Sequence, residues 1–202
     1  MITLVLGGTR SGKTAVAERV AGFGPGPVSY VATGTVTDPG MAARIAAHRA
    51  RRPAGWSTIE LPAGGDLAAL VLATPGTVLV DALGTWVAGW TPDLDGADLD
   101  GADLDGADEP GEVGARGDVR RPVDAAAAGR TLARALAERT GDAVVVSDEV
   151  GLAVHPVSAV GRWFVDAVGD VNQAVAAVAD DVLLVVAGRV LRLPRSDDAL
   201  GR

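Results

Sequence analysis

Residues 7–14 read Gly-Gly-Thr-Arg-Ser-Gly-Lys-Thr and match the phosphate-binding pattern GxxxxGK[ST] at every defined position. In such a loop, glycines let consecutive backbone N–H groups point at a phosphate, and the following helix adds the positive end of its dipole. The sequence therefore predicts a site for the phosphates of a purine nucleoside triphosphate. Its predicted residues are Gly7, Gly8, Thr9, Arg10, Ser11, Gly12, Lys13 and Thr14.

Two residues specify the charge of this site. Lys13 is the only lysine in the chain, and every other basic side chain except histidine is arginine. A compact ammonium that must reach between two phosphates cannot be replaced by a planar guanidinium, which accounts for this usage. Asp81 ends a buried apolar run and is predicted to be the acid on the Mg²⁺ side of the site, together with the hydroxyl of Thr14. An N-capping or turn aspartate is the alternative interpretation of Asp81.

A basic helix is predicted over residues 40–52, with Arg44, His48 and either Arg51 or Arg52 on one face. Neighbouring positive charge disfavours the imidazolium form, so His48 is expected to be neutral and nucleophilic near neutral pH. Such a histidine could attack the phosphorus of a bound triphosphate while the arginines hold it. Taken alone, the pattern favours the simpler alternative, a solvated basic helix face.

The elements that must position these residues alternate between strand and helix. Such alternation predicts an α/β fold, with a mostly parallel, doubly wound sheet carrying helices on both faces and a closing C-terminal hairpin that turns near Gly188. We predict strands at residues 2–6, 28–33, 56–61, 77–83 and 143–150, helices at 13–22, 40–52, 67–72, 122–139 and 160–179, and the hairpin at 182–193.

Bulk properties exclude several function classes. The chain has no cysteine, which rules out disulfides, thiolate metal sites and cysteine nucleophiles. Its formal net charge of -8 argues against non-specific binding to nucleic acid or anionic membranes. Neither a signal peptide nor a membrane-spanning apolar stretch is recognisable, so we expect a soluble, cytoplasmic protein. The length of 202 residues predicts a single domain.

One segment interrupts the α/β pattern. Residues 93–107 are three copies of Asp-Leu-Asp-Gly-Ala, followed by a glycine-rich, charged stretch as far as residue 121. Three short acidic copies cannot bury a core, and the spacing lacks the later glutamate of a calcium loop. We therefore interpret 93–121 as a flexible acidic insertion, with a calcium loop as the weaker alternative. Removing residues 93–108 is expected to leave activity largely intact.

Several segments together resemble the bifunctional adenosylcobinamide kinase/adenosylcobinamide-phosphate guanylyltransferase family of cobalamin biosynthesis. Order and spacing agree over most of the chain outside the acidic insertion and the tail. The segments are GGTRSGKT at 7–14, YVATG at 30–34, MAARIAAHRARRPAGWSTIE at 41–60, VLVDALGTW at 78–86, SDEVGLAVHP at 147–156 and GRWFVDAVGDVNQAVAAVADDVLLVVAG at 161–188.

The resemblance implies a P-loop NTPase-like (RecA-like) α/β sheet and a homo-oligomer, with a trimer as the expected form. It also implies two reactions: phosphorylation of adenosylcobinamide by GTP or ATP with Mg²⁺, and transfer of GMP from GTP to the resulting phosphate through a GMP-histidine. His48 matches the family histidine, which reverses the preference stated for the helix alone. The positions that fall where the family contacts GTP are the P-loop, Ala32, Thr33, Gly34, Arg49, Ala50, Arg51, Arg52, Glu60 and Asp81. The carboxylate of Glu60 could accept hydrogen bonds from guanine N1 and N2.

Asp148 departs from the family pattern. The family usually has Asn-Glu-Val-Gly where this chain has Asp-Glu-Val-Gly at residues 148–151. A carboxylate near phosphates is unfavourable unless a metal or an arginine faces it. Two other functions stay open from the residues: a single-activity P-loop kinase of a small metabolite, and a non-catalytic GTP switch. No Asn-Lys-x-Asp guanine motif is present, which counts against the switch.

Overall fold

The computed structural model describes residues 1–24, 26–34, 52–90, 123–199 and 201. Within them lie seven strands and six helices. In chain order these are β1 (Ile2–Gly7), α1 (Lys13–Gly22), β2 (Val28–Ala32), β3 (Ser57–Glu60), α2 (Leu67–Ala73), β4 (Thr77–Asp81), α3 (Leu83–Ala88), α4 (Ala125–Glu138), β5 (Ala143–Asp148), α5 (Ala159–Val178), β6 (Asp181–Val186), β7 (Arg189–Leu193) and α6 (Ser196–Ala199).

All seven strands form one sheet in the order β3-β2-β4-β5-β1-β6-β7. Every neighbouring pair is parallel except β6 and β7, which are antiparallel. Two residues connect β6 to β7, Ala187 with φ 49° and Gly188 with φ 75°. Positive φ at both central residues is typical of a two-residue hairpin turn. The predicted parallel sheet and its closing hairpin are thus confirmed.

Both faces of the sheet are buried under helices, because successive strand side chains point to opposite faces. One face packs against α4 and α5, and its core includes Leu4, Val80, Val145, Leu132 and Val171. The other packs against α1, and its core includes Val5, Leu79, Val144, Val16 and Ala17. The prediction of helices on both faces is confirmed. No described helix combines the length and apolar character needed to cross a membrane.

The predicted strand over 77–83 is wrong at its C-terminal end. The strand stops at Asp81, and residues 83–88 form the unpredicted helix α3. The backbone of Ala82 bonds to a side chain instead of a neighbouring strand: its N–H donates to Thr33 Oγ1 at 3.0 Å, and Thr33 Oγ1 donates to its carbonyl at 2.6 Å. The predicted strand over 143–150 likewise ends early, at Asp148.

Side-chain caps set where two long helices begin. Asp124 accepts a hydrogen bond from Ala127 N at 2.9 Å, so α4 starts at Ala125 and not at the predicted residue 122. Ser158 accepts from Gly161 N at 3.1 Å and starts α5 at Ala159. These bonds satisfy backbone donors that have no partner within the helix. The predicted helix over 40–52, apart from Arg52, and the predicted acidic insertion over 93–121 lie outside the described residues.

Candidate functional site

The carboxyl ends of six parallel strands meet at one edge of the sheet. In the β3-β2-β4 register, Ala32 lies opposite both Glu60 and Asp81, and in the β1-β5 register Gly7 lies opposite Asp148. Ligands of open α/β sheets bind in the crevice at this edge. The fold therefore brings Glu60, Asp81 and the start of the P-loop to the same side of the molecule, although they are far apart in sequence.

The P-loop connects β1 directly to α1. Its backbone requires glycine at two points: Gly12 has φ 94°, and a Cβ at Gly7 would lie 2.7 Å from Val185 O. A hydrogen bond from Ser11 N to Gly8 O at 3.2 Å closes the turn. Because α1 begins at Lys13, the unpaired N–H groups of its first turn face this loop. The predicted strand, loop and helix are all confirmed.

The loop also rests on the β6-β7 turn. Gly188 N donates to Ser11 O at 2.8 Å, and a Cβ at Gly12 would lie 3.5 Å from Gly188 Cα. The Ser11 hydroxyl is buried and has no hydrogen-bond partner among the described residues. Buried polar groups are normally paired, so this hydroxyl fits an oxygen-rich anion held by the loop. The residues present therefore fit a phosphate.

Lys13 forms an ion pair with Asp148, with Nζ 2.7 Å from Oδ1, and also donates to Gly8 O at 3.3 Å. The backbone carbonyl of Asp148 accepts a hydrogen bond from Asn172 Nδ2 at 3.0 Å, which ties the end of β5 to α5. The sequence predicted a metal or an arginine opposite this carboxylate. In the structure the facing cation is Lys13.

Asp81 lies between Thr14 and Tyr30. Thr14 Oγ1 donates to Asp81 Oδ1 at 3.3 Å, and the Tyr30 hydroxyl donates a short hydrogen bond to Oδ2. Burial of the Tyr30 ring, with the negative charge of Asp81 second, raises the pKa of Tyr30 well above its ordinary value, so the phenol stays a proton donor. The hydroxyl of Thr14 and the carboxylate of Asp81 are hard oxygen ligands of the kind Mg²⁺ prefers. This pair fits the metal side of a P-loop site.

Arg52 connects the segment after His48 to this cluster. Its guanidinium carbon lies 3.3 Å from the centroid of the Tyr30 ring, and Nη1 donates to Thr58 Oγ1 at 2.9 Å. Stacking of a cation on an aromatic ring is favourable and fixes the planes of both groups. The structure thus brings Arg52 one side chain away from Asp81. His48, Arg49, Ala50 and Arg51 lie outside the described residues.

The remaining predicted contacts occupy the same edge. Thr33 is buried, and its hydroxyl is engaged by Ala82 and by Thr85 Oγ1 at 2.6 Å, so this side chain holds β2 to the start of α3. Ala32 ends β2, Gly34 follows it, and Glu60 is an exposed residue at the end of β3. Their contacts with nucleotide stay predictions. Tyr30 was missed by sequence reasoning, although it is the only tyrosine in the chain.

Known proteins resemble the chain over nearly its whole length. The bifunctional adenosylcobalamin biosynthesis protein CobP of Pseudomonas aeruginosa is 35% identical over 189 residues, covering 93% of this chain and 94% of that protein. The CobU proteins of Salmonella typhimurium and Escherichia coli, which carry the same description, are also 35% identical over 93% of this chain and 97% of theirs.

Among solved structures, the P4 protein of bacteriophage phi6 in complex with ADP aligns with 94% of this chain and 52% of its own, at a TM-score of 0.35 and 15% identity. That likeness is too distant to support any argument about the site. Residues 3–193 match the family described as cobinamide kinase / cobinamide phosphate guanyltransferase. With P-loop, acid and strand edge in place, the chain belongs to that family.

Proposed function

We propose that this chain phosphorylates adenosylcobinamide with a nucleoside triphosphate and then transfers GMP from GTP to adenosylcobinamide phosphate, giving adenosylcobinamide-GDP and pyrophosphate. The observation that carries the proposal is the arrangement at the carboxyl edge of the sheet, where Lys13 and the Thr14-Asp81 pair flank one phosphate loop. Family membership supplies the acceptor class, because the family description names cobinamide kinase and cobinamide phosphate guanyltransferase together.

In the kinase reaction, the P-loop backbone and Lys13 hold the β- and γ-phosphates of GTP or ATP. The aminopropanol hydroxyl of the corrinoid attacks the γ-phosphorus and releases its proton to solvent, the bond from that phosphorus to the β-phosphate oxygen breaks, and a nucleoside diphosphate leaves. Thr14 and Asp81 would hold Mg²⁺, which neutralises charge on the phosphates. The Tyr30 hydroxyl keeps one oxygen of Asp81 occupied and so directs the other towards Thr14.

In the transferase reaction, a ring nitrogen of His48 attacks the α-phosphorus of GTP and pyrophosphate leaves. A phosphate oxygen of adenosylcobinamide phosphate then attacks the same phosphorus and displaces the histidine. Support comes from Arg52, which follows His48 by four residues and stacks on Tyr30, the hydrogen-bond donor to Asp81. Arg49, Ala50 and Arg51 lie between His48 and Arg52 in the sequence and are proposed to contact the nucleotide.

Glu60 is proposed to select guanine. Three strands lie between β3 and β1 in the sheet, so four inter-strand spacings, about 19 Å, separate them. An extended nucleotide with its phosphates in the P-loop would therefore run along the strand ends towards Glu60. Ala32 ends β2, one of the strands between them, Thr33 and Gly34 follow it, and all three would line the path of the nucleotide.

The protein is proposed to work in the cytoplasm as a homo-oligomer, with a trimer as the expected form. Support comes from apolar side chains that the described chain leaves exposed: Leu152, Val154 and Val157 after β5 are 81%, 94% and 98% exposed. Val190 and Leu191 on the outer strand of the hairpin are 49% and 59% exposed. Exposed apolar side chains that form a contiguous patch are typical of protein contacts, and these are proposed to face another copy of the chain. Light scattering of the purified chain would determine the number of copies.

The decisive experiment uses GTP labelled at the α-phosphate. The wild-type protein should acquire an acid-labile label, and His48→Ala should lose it while still transferring the γ-phosphate. His155→Ala is the matched control, because His155 is the only other histidine and is exposed. Absence of label from the wild type, with γ-phosphate transfer intact, would leave a single-activity kinase in place of the bifunctional enzyme.

A further inference from the structure

Lys13 of the P-loop is paired with a carboxylate, which is unusual for a lysine that must bind phosphates. The ammonium of Lys13 lies 2.7 Å from a carboxylate oxygen of Asp148, and the two side chains are 13% and 31% exposed. Partial shielding from water makes such a pair stronger than one on the open surface. The positive charge that the phosphates need is therefore already engaged by a negative group of the protein.

Asp148 is held in this position from three sides. Its backbone pairs with Gly7 at the start of the P-loop, and its carbonyl accepts the hydrogen bond from Asn172. On the third side, a Cβ at Gly84 would collide with the Asp148 carboxylate, so this glycine leaves the space that the carboxylate fills. These contacts fix the end of β5 and the place from which the Asp148 carboxylate reaches Lys13.

We propose that Asp148 is a positioning residue that holds Lys13 in the nucleotide-free protein and gives it up to phosphate oxygens when a nucleotide binds. The inference rests on the proposed function, since the ligand is taken to be a nucleoside phosphate. Lys13 is the single lysine, so the carboxylate and the phosphates compete for one ammonium. Asp148 also repels the phosphates directly. Both effects lower nucleotide affinity, and recapture of Lys13 by Asp148 favours departure of the products.

The first test measures the affinity of GDP with Mg²⁺ for the full-length chain, because GDP binds without turnover. Asp148→Asn keeps the shape of the side chain and removes its charge. We expect this variant to bind GDP about two- to fivefold more tightly, the upper part of the range for loss of an exposed ion pair, because this pair is partly shielded. Glu149→Gln is the matched control: it removes the same charge one residue away, where Glu149 accepts a hydrogen bond from Gly151 N at 2.8 Å. Its affinity should change less than twofold.

The second test observes Lys13 itself. Protein grown with lysine labelled at the ε-carbon or ζ-nitrogen gives one side-chain resonance, because the chain has one lysine. Without nucleotide, Asp148→Asn should shift this resonance and Glu149→Gln should not. With saturating GDP and Mg²⁺, the wild type and Asp148→Asn should converge, since the ammonium then faces phosphate in both. A role of Asp148 limited to folding would not produce this convergence.

Each outcome has a separate meaning. Tighter GDP binding by Asp148→Asn, together with the resonance pattern described, supports the exchange. Equal or weaker binding by Asp148→Asn, or a Lys13 resonance that ignores the substitution, overturns it while the proposed function stands. Failure of both wild type and variant to bind GDP or GTP would overturn the proposed function itself.

Discussion

Replacing Tyr30 by phenylalanine tests whether a buried hydroxyl orients the acid of the site. Tyr30 is 2% exposed, and Tyr30→Phe retains its ring and the stacking on Arg52 while removing the hydrogen bond to Asp81. A hydrogen bond to a charged group contributes about 1.5–3 kcal/mol to stability. Asp81 is half-buried, so water replaces part of this bond and we expect a loss near the lower value, about 1.5 kcal/mol. For a chain of this size the melting temperature should fall by roughly 3–6 °C.

Tyr30→Phe should also change the Mg²⁺ dependence of the kinase rate, and this effect should be larger than its effect on stability. Once Oδ2 of Asp81 loses its donor, the carboxylate can rotate away from Thr14 Oγ1. Loss of such an outer contact weakens a metal site by about tenfold or more, so the Mg²⁺ concentration giving half-maximal kinase rate should rise by about that factor. Thermal unfolding and kinase rates over a Mg²⁺ series measure the two effects.

Two comparisons make this test specific. Thr58→Val removes a hydroxyl that contacts Arg52 but not Asp81, and its Mg²⁺ dependence should match the wild type. In an Asp81→Asn background, Tyr30→Phe should have little further effect, because residues that act through one contact are not additive. An unchanged Mg²⁺ dependence in Tyr30→Phe would refute the argument that the hydroxyl directs the acid.

Three further outcomes are expected. Burial and the charge of Asp81 raise the pKa of Tyr30 above the value near 10 that it has in the unfolded chain. The neutral phenol therefore contributes its full stabilisation below about pH 10, and this contribution is lost as the pH rises further. Phenolate absorbance from this single tyrosine should accordingly emerge only with unfolding, and a titration of the folded protein near pH 10 would contradict the contact. Arg139→Met leaves the carbonyls of Thr74 and Gly76 without donors at the opposite edge of the sheet, so calorimetry should show a loss of about 2–3 kcal/mol with GDP affinity unchanged. Gly84→Ala should displace the neighbouring carboxylate and tighten GDP binding, as titration would detect; weaker binding would argue against the collision.

The parts of the fold that local chemistry dictates were predictable from the sequence. The P-loop spacing is tied to its ligand, and the alternation of apolar runs with helical stretches gave the sheet, its helices and the hairpin. Helix α3 was missed because residues 77–83 are almost continuously apolar. Its start depends on hydrogen bonds with Thr33, the residue that follows β2. No local pattern contains that information.

The sequence identified several residues of the candidate site but not which side chains they contact. Asp81 and Lys13 were identified, but their neighbours Tyr30 and Asp148 come into contact through strand order. Tyr30 reaches Asp81 diagonally because β2 pairs with β4 so that Ala32 lies opposite Asp81. Asp148 reaches Lys13 because β5 is the neighbour of β1. Pairing between distant strands is a property of the whole sheet.

The contact between the Ala187–Gly188 turn and Ser11 has a thermodynamic consequence. The strand that follows this turn carries the exposed Val190 and Leu191. If a bound nucleotide orders the P-loop, it orders the turn as well. Thermodynamic linkage then requires that binding at the turn or β7 changes nucleotide affinity in return. A partner that binds the outer edge of the sheet would change phosphate affinity by a certain factor, and bound phosphate would change the affinity for that partner by the same factor. Binding at this edge could thus be measured through nucleotide affinity, and nucleotide binding through affinity at this edge.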